Sequence, residues 1–386
     1  MTLSALHFLA SPDGRALLEA CEKDNLAELS LQKRLRQSYS GEIAMAVAEL
    51  VSLRQKARTK FPSGFVTWFD REGYEQASSE AIAAHRAGRF KDCDRVVDIC
   101  CGVGSDAIAI SRLCEVIALD RLEKRCYMAR LNSMESGQDR AVAILCADAQ
   151  SLLPRSNYYF IDPSRRTAGE RVLSPHKTSP PLDFALACLQ RAKGGAVKLS
   201  PMMQVEHLVG EGETEFISEQ GECRDQTIWF GELRTARRRA TIIPAGISIT
   251  SQLPPPEIGI SPIGQFLYIP DAAIARARLS RECGALLSLT LVHPGIEVLT
   301  GNQALSSPLV RGFTVAEVLA YQKKSLRKYF KQRKLRPAVL ITRGCRVPFG
   351  ELEDLFPKSG EPHAAVIFLN TAANGLRVVI AHPLRG

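Results

Sequence analysis

A chain of 386 residues, 45% hydrophobic and 24% charged, is long enough for two or three domains and has the make-up of a soluble globular protein. No apolar run reaches the length of a membrane span, and the N-terminus lacks the basic stretch that opens a secretory signal. The net charge of +9 leans toward a polyanionic partner, usually nucleic acid. The eleven scattered cysteines show neither a disulfide framework nor a structural zinc spacing, and suit reduced thiols in a cytoplasm.

Residues 1–90 read as helical. "GEIAMAVAELVSLRQKARTKF" (41–61) carries apolar residues at helical spacing and basic residues in its last turns. Pro62, Ser63 and Gly64 end it. "EQASSEAIAAHRAGRF" (75–90) reads as a second helix. From Arg95 the texture changes. "RVVDIC" (95–100), "EVIALD" (115–120), "AVAILC" (141–146), "YYFID" (158–162) and "GAVKLS" (195–200) are strand-like. Helix-length segments such as "EKRCYMARLNSMES" and "PLDFALACLQRA" lie between most of them. That alternation predicts a mostly parallel sheet with helices on both faces. "DQTIWFGEL" and "RRATIIPA" follow one another closely, predicting an antiparallel pair at one edge. "SQLPPPEIGI" (251–260), with three successive prolines, is the best linker. The expected domains are therefore 1–90, helical; 91–250, α/β; and 251–386, a small α+β unit.

The first strand runs into "DICCGVGSDA" (98–107), in which Gly102, Gly104 and Ala107 fit G-x-G-x-x-A between a strand and a helix. Asp120 ends the next strand, 18 residues after Gly102, where a carboxylate can accept from both ribose hydroxyls. The site thus reads as a nucleotide site. Asp98 and Asp106 flank the glycines and would repel a pyrophosphate by several kcal/mol in a poorly solvated site. A ligand with a cationic amino group and a sulfonium meets no such conflict, which favours S-adenosylmethionine over a nicotinamide dinucleotide. Asp148 follows the third strand and suits either an adenine amino group or a helix N-cap.

These motifs, "VVDICCGVGSD", "VIALD", "CADAQ" and "FIDPSRR", resemble those of class I S-adenosylmethionine-dependent methyltransferases. The whole chain is similar to bacterial methyltransferases with a THUMP-like C-terminal domain. "KFPSGFVTWFDREGYEQASSEAIAAHR", "KLSP", "FLYIPDAAIARA" and "LRPAVLITRGCRVPFGELEDLF" carry that narrower resemblance. It implies a Rossmann-like core, a helical N-terminal domain, a THUMP-like α+β domain and S-adenosyl-L-methionine as cofactor. It also places the fourth strand's end beside the donor methyl group. The residues there are "DPSRR", not the Asp-Pro-Pro-aromatic of base-amine enzymes. "VKLSPMM" (197–203) holds no cysteine, so C5 chemistry through a covalent adduct is disfavoured. Direct transfer to nitrogen or oxygen remains, with Asp162 as base or amine acceptor. Arg165 and Arg166 are expected on an anionic group of the substrate. Lys198 suits equally a substrate contact and a salt bridge to Asp162 that orders the site. The loop 167–181 has the length and composition of a cover.

Near the C-terminus, "KKSLRKYFKQRKLR" (323–336) holds eight Lys/Arg among 14 residues and no acid. Lys323, Arg327 and Lys331 align on one helical face, with Tyr329 and Phe330 interleaved. The stretch reads as an RNA-backbone footprint or as a solvated helix whose aromatics enter the core. The first functional reading is a cytoplasmic methyltransferase of tRNA or rRNA. Others are a methyltransferase of a small molecule or protein, an inactive cofactor-binding RNA-binding protein and, more distantly, an NAD-dependent oxidoreductase.

Overall fold

The protein is described from a computed structural model covering residues 1–24, 26–164, 166–167, 170–171, 174–205, 210–345, 349–357, 362–370 and 375–384. It divides into two compact units, Met1–Glu213 with Gln226–Thr235, and Thr214–Asp225 with Ala236–Gly386. These bounds differ from the three segments expected.

The first unit opens with α1 (Leu3–Ala10), α2 (Pro12–Lys23), α3 (Glu28–Leu35) and α4 (Gly41–Ala57). Thr2, Ser11 and Ser40 start three of them by accepting from the N–H of Ala5, Gly14 and Ile43. Ala44, Val47, Leu50 and Val51 of α4 are buried with Leu6, Leu9 and Leu18, which realises the helical spacing of "GEIAMAVAELV". The same core takes in Val103, Ile108, Met128 and Leu131, so the helical segment shares its interior with the α/β core. The helix expected over 75–90 is two helices, α5 (Arg71–Gln76) and α6 (Glu80–Ala87). Ser79 breaks the run because its hydroxyl accepts from Ile82 N–H and caps α6, a local bond that competes with helix continuation.

The α/β core follows as β1 (Arg95–Ile99), α7 (Ser105–Ser111), β2 (Glu115–Asp120), α8 (Glu123–Glu135), β3 (Val142–Cys146) and β4 (Tyr158–Ile161). A two-residue pair, β5 (Arg166–Thr167) and β6 (Glu170–Arg171), precedes α9 (Leu182–Arg191) and β7 (Gly194–Leu199). β7, β4, β1, β2 and β3 lie side by side in that order, all parallel. Of β9 (Glu222–Gly231), the part Gln226–Gly231 runs antiparallel to β7.

In the second unit, β10 (Arg238–Ile243) runs parallel to β8 (Glu213–Glu219) and antiparallel to β11 (Ile247–Thr250). The edge pairing expected between "DQTIWFGEL" and "RRATIIPA" does not form, because β8 lies between β9 and β10. β8 was hidden by its acids. Glu213 and Glu215 are both fully buried, held by Arg89 at 2.6 Å and by the Thr241 hydroxyl at 2.6 Å.

The second sheet holds β12 (Phe266–Pro270), β13 (Thr290–Leu291), β14 (Leu299–Gly301), β15 (Val310–Ala320), β16 (Arg336–Arg343), β17 (Pro362–Asn370) and β18 (Leu376–Pro383). Its order is β13–β14–β12–β15–β18–β17–β16; β16 and β17 run parallel and the other neighbours among the described strands antiparallel. The helices of this unit are α10 (Ala272–Ala277), α11 (Ser280–Leu287), α12 (Lys323–Gln332) and α13 (Phe349–Glu353). Among the described residues no helix is long and apolar enough to cross a membrane.

One side chain ties the glycine turn to its surroundings. Asn132 on α8 is fully buried. Its Oδ1 accepts from Thr67 N at 2.9 Å and Trp68 N at 2.8 Å, and its Nδ2 donates to Trp68 O and Val103 O, both at 2.9 Å. All four amide positions are used. Asn132→Leu strands four backbone groups, so urea denaturation should show a loss of about 3 kcal/mol or more, at about 1–3 kcal/mol per buried unpaired group. A loss below about 1 kcal/mol would mean that these groups find other partners.

Candidate active site

β1 ends at Ile99 and the chain turns sharply. Cys100, Gly102 and Gly104 all have positive φ, at 65°, 57° and 86°. Glycine takes that conformation freely. Cys100 takes it at a cost of about 1–2 kcal/mol. A Cβ on Gly104 would also come within 3.2 Å of Ala129 Cβ, so this glycine sets how closely the turn lies on α8. Cys101 N–H donates to Leu119 O and Gly104 N–H to Cys101 O, both at 2.9 Å. The turn is open on one side to a pocket lined by Asp98, Gly102, Asp106, Asp120, Asp148 and Asp162. Six residues expected at the cofactor or its methyl group therefore share one cavity.

Their surroundings differ. Asp98 is fully buried, and neither carboxylate oxygen has a hydrogen-bond partner among the described residues. Burial, then the neighbouring Asp106 and Asp162, push its carboxyl well above the usual carboxylate range, against the pull of Lys198 and Arg86. Asp120 accepts from Gly102 N at 3.1 Å and Leu122 N at 2.9 Å, and burial raises its carboxyl against those two bonds. Each of its oxygens keeps a lone pair for a hydroxyl. Asp148 is exposed and accepts from Gln150 N at 2.9 Å; a turn and not a helix follows it, so the helix N-cap expected as the alternative to ligand contact does not form. Asp106 is engaged inside the protein, accepting from Ser78 Oγ at 2.8 Å and pairing with Arg86 at 3.0 Å.

Asp162 follows β4, its N–H on Ile99 O at 3.0 Å. Its Oδ2 accepts from Lys198 Nζ at 2.7 Å, and the side chain is 24% exposed. Lys198, on β7, is 7% exposed and stands behind Asp162, outside the pocket lining. Of the two roles open to it, the structure forms the salt bridge. Beyond Asp162, Ser164 pairs with Ser179 through both backbone bonds, at 2.8 and 3.0 Å. The segment between them thus starts and ends at the pocket mouth, where Ser179 and Pro180 also lie. Arg165 lies outside the described residues, and so does the side chain of Arg166, whose backbone pairs with Arg171.

Other contributors went unannounced by the sequence. Ser78 and Arg86 come from a stretch read as plain helix, and only their burial, at 6% and 1% exposure, marks them. Glu72 and Glu75 of α5 join the pocket lining. α5 lies on the turn at Gly73, where a Cβ would meet Val103 at 2.7 Å. Lys323, Arg327 and Lys331 are exposed on α12 in the second unit, not part of this pocket. Phe330 is fully buried and Tyr329 half-buried, its hydroxyl on Glu317 at 2.6 Å. The two aromatics therefore face the core of their unit and are not interleaved with the charges on the surface.

The orphaned Asp98 carboxylate is a direct test of the ligand. An anionic pyrophosphate beside it would add more charge of the same sign, whereas an ammonium would supply the missing donor and charge. The donor set fits S-adenosylmethionine. Similarity to known proteins agrees. An uncharacterized S-adenosylmethionine-dependent methyltransferase of Mycobacterium tuberculosis, found in strains CDC 1551 and H37Rv, is 31% identical over 359 residues, 89% of this chain and 98% of its own length. A crystal structure assigned as a methyltransferase, from Porphyromonas gingivalis W83, superposes with a TM-score of 0.71 at 18% identity. It covers 96% of this chain and 99% of its own, and so shares the fold. A family model described as "THUMP domain-like" matches residues 310–383, and one described as "Domain of unknown function (DUF8688)" matches residues 2–57. The chain belongs to the S-adenosylmethionine-dependent methyltransferases.

Binding should be coupled to protons. The raised Asp98 carboxyl takes up a proton in the free protein at pH values where an adjacent ammonium keeps it ionised. Binding S-adenosylhomocysteine should therefore release protons, and affinity should fall as pH drops through the raised pKa. Calorimetry in two buffers of different ionisation enthalpy reads this directly. Asp98→Asn should weaken binding and abolish the buffer dependence; an unchanged dependence would assign the proton elsewhere. Asp120→Ala should cost about 1–3 kcal/mol of affinity.

Proposed function

We propose that this chain methylates RNA, tRNA or rRNA, by direct transfer to a nitrogen or oxygen without a cysteine nucleophile. The observation that carries the RNA reading is the cationic face of α12. Lys323, Lys324, Arg327, Lys328 and Lys331 are exposed, while Leu326 and Phe330 anchor the opposite face in the core with Val366 and Phe368. The face belongs to the segment matched by the THUMP-like model. Phosphate contacts of this kind bind regardless of sequence and weaken with salt. The eleven free thiols are in keeping with a reducing, cytoplasmic setting.

When bound, S-adenosylmethionine supplies an electrophilic methyl group on a sulfonium. Asp98 holds its amino group, Asp120 its ribose hydroxyls and Asp148 its adenine amine. Asp106 lines the pocket beside Asp98 and is paired with Arg86. Asp162 meets the acceptor, orienting its reacting atom or taking its proton through Oδ1 while Lys198 holds Oδ2. Arg165 and Arg166 are assigned to an anionic group of the acceptor. Cys100 and Cys101 line the pocket, and burial with neighbouring acids pushes both thiols far up. A thiolate adduct is disfavoured there.

Asp162→Ala should slow transfer from tritiated S-adenosylmethionine to bulk RNA of a deletion strain by about 100-fold, the usual scale for a positioned acid–base group. The melting temperature should fall because the buried Lys198 loses its charge partner, but the folded fraction should still bind S-adenosylhomocysteine and should be far less active than its amount accounts for. A large drop in melting temperature, with activity lost only in proportion, would make "DPSRR" a structural turn.

Changing Lys323, Arg327 and Lys331 together to Gln should leave cofactor binding intact. It should also lower the log–log salt slope of RNA binding by about one unit for each phosphate that is no longer neutralised. An unchanged RNA affinity and slope would return α12 to a solvated face and favour a small-molecule or protein acceptor.

A further inference from the structure

Behind Asp162, the polar groups form one connected cluster whose junction is a hydroxyl. Ser78 Oγ donates to Asp106 Oδ2 at 2.8 Å and accepts from Lys198 Nζ at 3.1 Å and from Arg86 Nη2. Lys198 passes on to Asp162 Oδ2 at 2.7 Å, and Arg86 to Asp106 Oδ1 at 3.0 Å. A serine hydroxyl has one donor and two acceptor positions, and all three are used. Two cations converge on a single oxygen, an arrangement that stands only because Asp106 and Asp162 offset them. Asp98 makes a third acid against two bases, and the excess charge faces the donor.

Neither neighbour on the chain substitutes for this group. Ser79 caps α6, and Ala77 has no polar side chain. Ser78 is carried by the turn between α5 and α6, outside the parallel sheet, and among the described residues its hydroxyl bonds to the sheet at Lys198. The turn is itself fixed, because Arg86 on α6 stacks over Phe160 of β4 at 5.2 Å.

We propose that Ser78 is a positioning residue for methyl transfer: its hydroxyl holds the Lys198 ammonium against Asp162 and so aims the acid at the acceptor. The inference rests on the role assigned above to Asp162. It assigns to the helical segment a part in the chemistry as well as in the core. Removing the hydroxyl leaves Lys198 with one partner in place of two and deprives Asp106 of a donor. Asp162 then keeps its charge partner but loses the constraint on its direction, and a misdirected acid costs rate rather than ground-state binding.

The experiment uses the full chain in four forms: wild type, Ser78→Ala, Ser78→Cys and Ser78→Thr. The first readout needs no acceptor. A lysine ammonium gives a sharp 1H–15N signal only when burial and hydrogen bonds slow its exchange with water. Wild type should show one such signal that Lys198→Arg removes. Ser78→Ala and Ser78→Cys should lose it, and Ser78→Thr, which keeps the hydroxyl, should retain it. S-adenosylhomocysteine affinity should stay within about twofold throughout. The second readout is turnover on bulk RNA of a deletion strain. Turnover should fall roughly 10- to 100-fold in the Ala and Cys variants with KM for RNA unchanged, and recover in the Thr variant. A Lys198 signal that survives in Ser78→Ala or Ser78→Cys overturns the proposal, as does turnover that falls only with the melted fraction. If wild type transfers no methyl group to RNA, the proposed function fails, while the Lys198 signal still decides whether Ser78 holds the ammonium. Should Ser78→Ala not fold, the nearly isosteric Ser78→Cys carries both readouts.

Discussion

The first unit is organised around a buried carboxylate that lacks a donor. Asp98 lies at the C-terminal end of β1, fully buried, with both oxygens unpaired among the described residues. A charge in that position is costly unless something cationic meets it. Asp106 and Asp162 sharpen the demand, and Lys198 and Arg86 only partly relieve it. A cationic donor is the group that completes such a site. An anionic pyrophosphate, which glycine turns of this kind also bind, would add like charge to this cluster instead of offsetting it.

The backbone is shaped to keep this arrangement rigid. Three positive-φ residues turn the chain within five positions. The Asn132 amide binds that turn to α8 and to the segment at Trp68. Gly73 lets α5 lie directly on Val103 and on Arg125. Arg125 in turn holds Asp70, the N-cap of α5, at 2.6 Å. Burial alone would raise the Asp70 carboxyl, but Arg125, Lys124 and the Gly73 N–H bring it down to about 2. The helical segment is therefore bonded to the site by ion pairs as well as by apolar packing.

Much of this was legible in the residues. Five strands of the core stood out as short apolar runs, each placed within one residue of its observed ends. The acids at strand ends followed from the order of strands and glycines. What escaped did so for identifiable reasons. β8 was not foreseen: its buried acids mask a strand, because their partners, Arg89 and Thr241, lie far away in sequence. Ser78, Arg86 and Asn132 sit in ordinary helical text, and nothing local marks a side chain most of whose partners are 20 to 120 residues away. The "DPSRR" stretch was readable as a site only in part. Asp162 took the place expected of it, while Lys198 proved to stand behind the acid. The basic stretch forms the cationic helical face expected, and of the two readings of its aromatics the one that sends them into the core is formed, because period 3.6 places Phe330 with Leu326, on the buried side.

The most direct measurement compares S-adenosylhomocysteine with its analogue lacking the amino group, by calorimetry, on wild type and Asp98→Asn. If Asp98 is completed by that ammonium, removing the amino group should weaken binding to wild type by roughly 100-fold, the scale of a charge-assisted hydrogen bond. It should cost the Asn variant far less, so the two changes are strongly non-additive. Equal loss in both proteins, or equal binding of the two ligands by wild type, would contradict the account: the amino group would then bind elsewhere and Asp98 would be a structural acid.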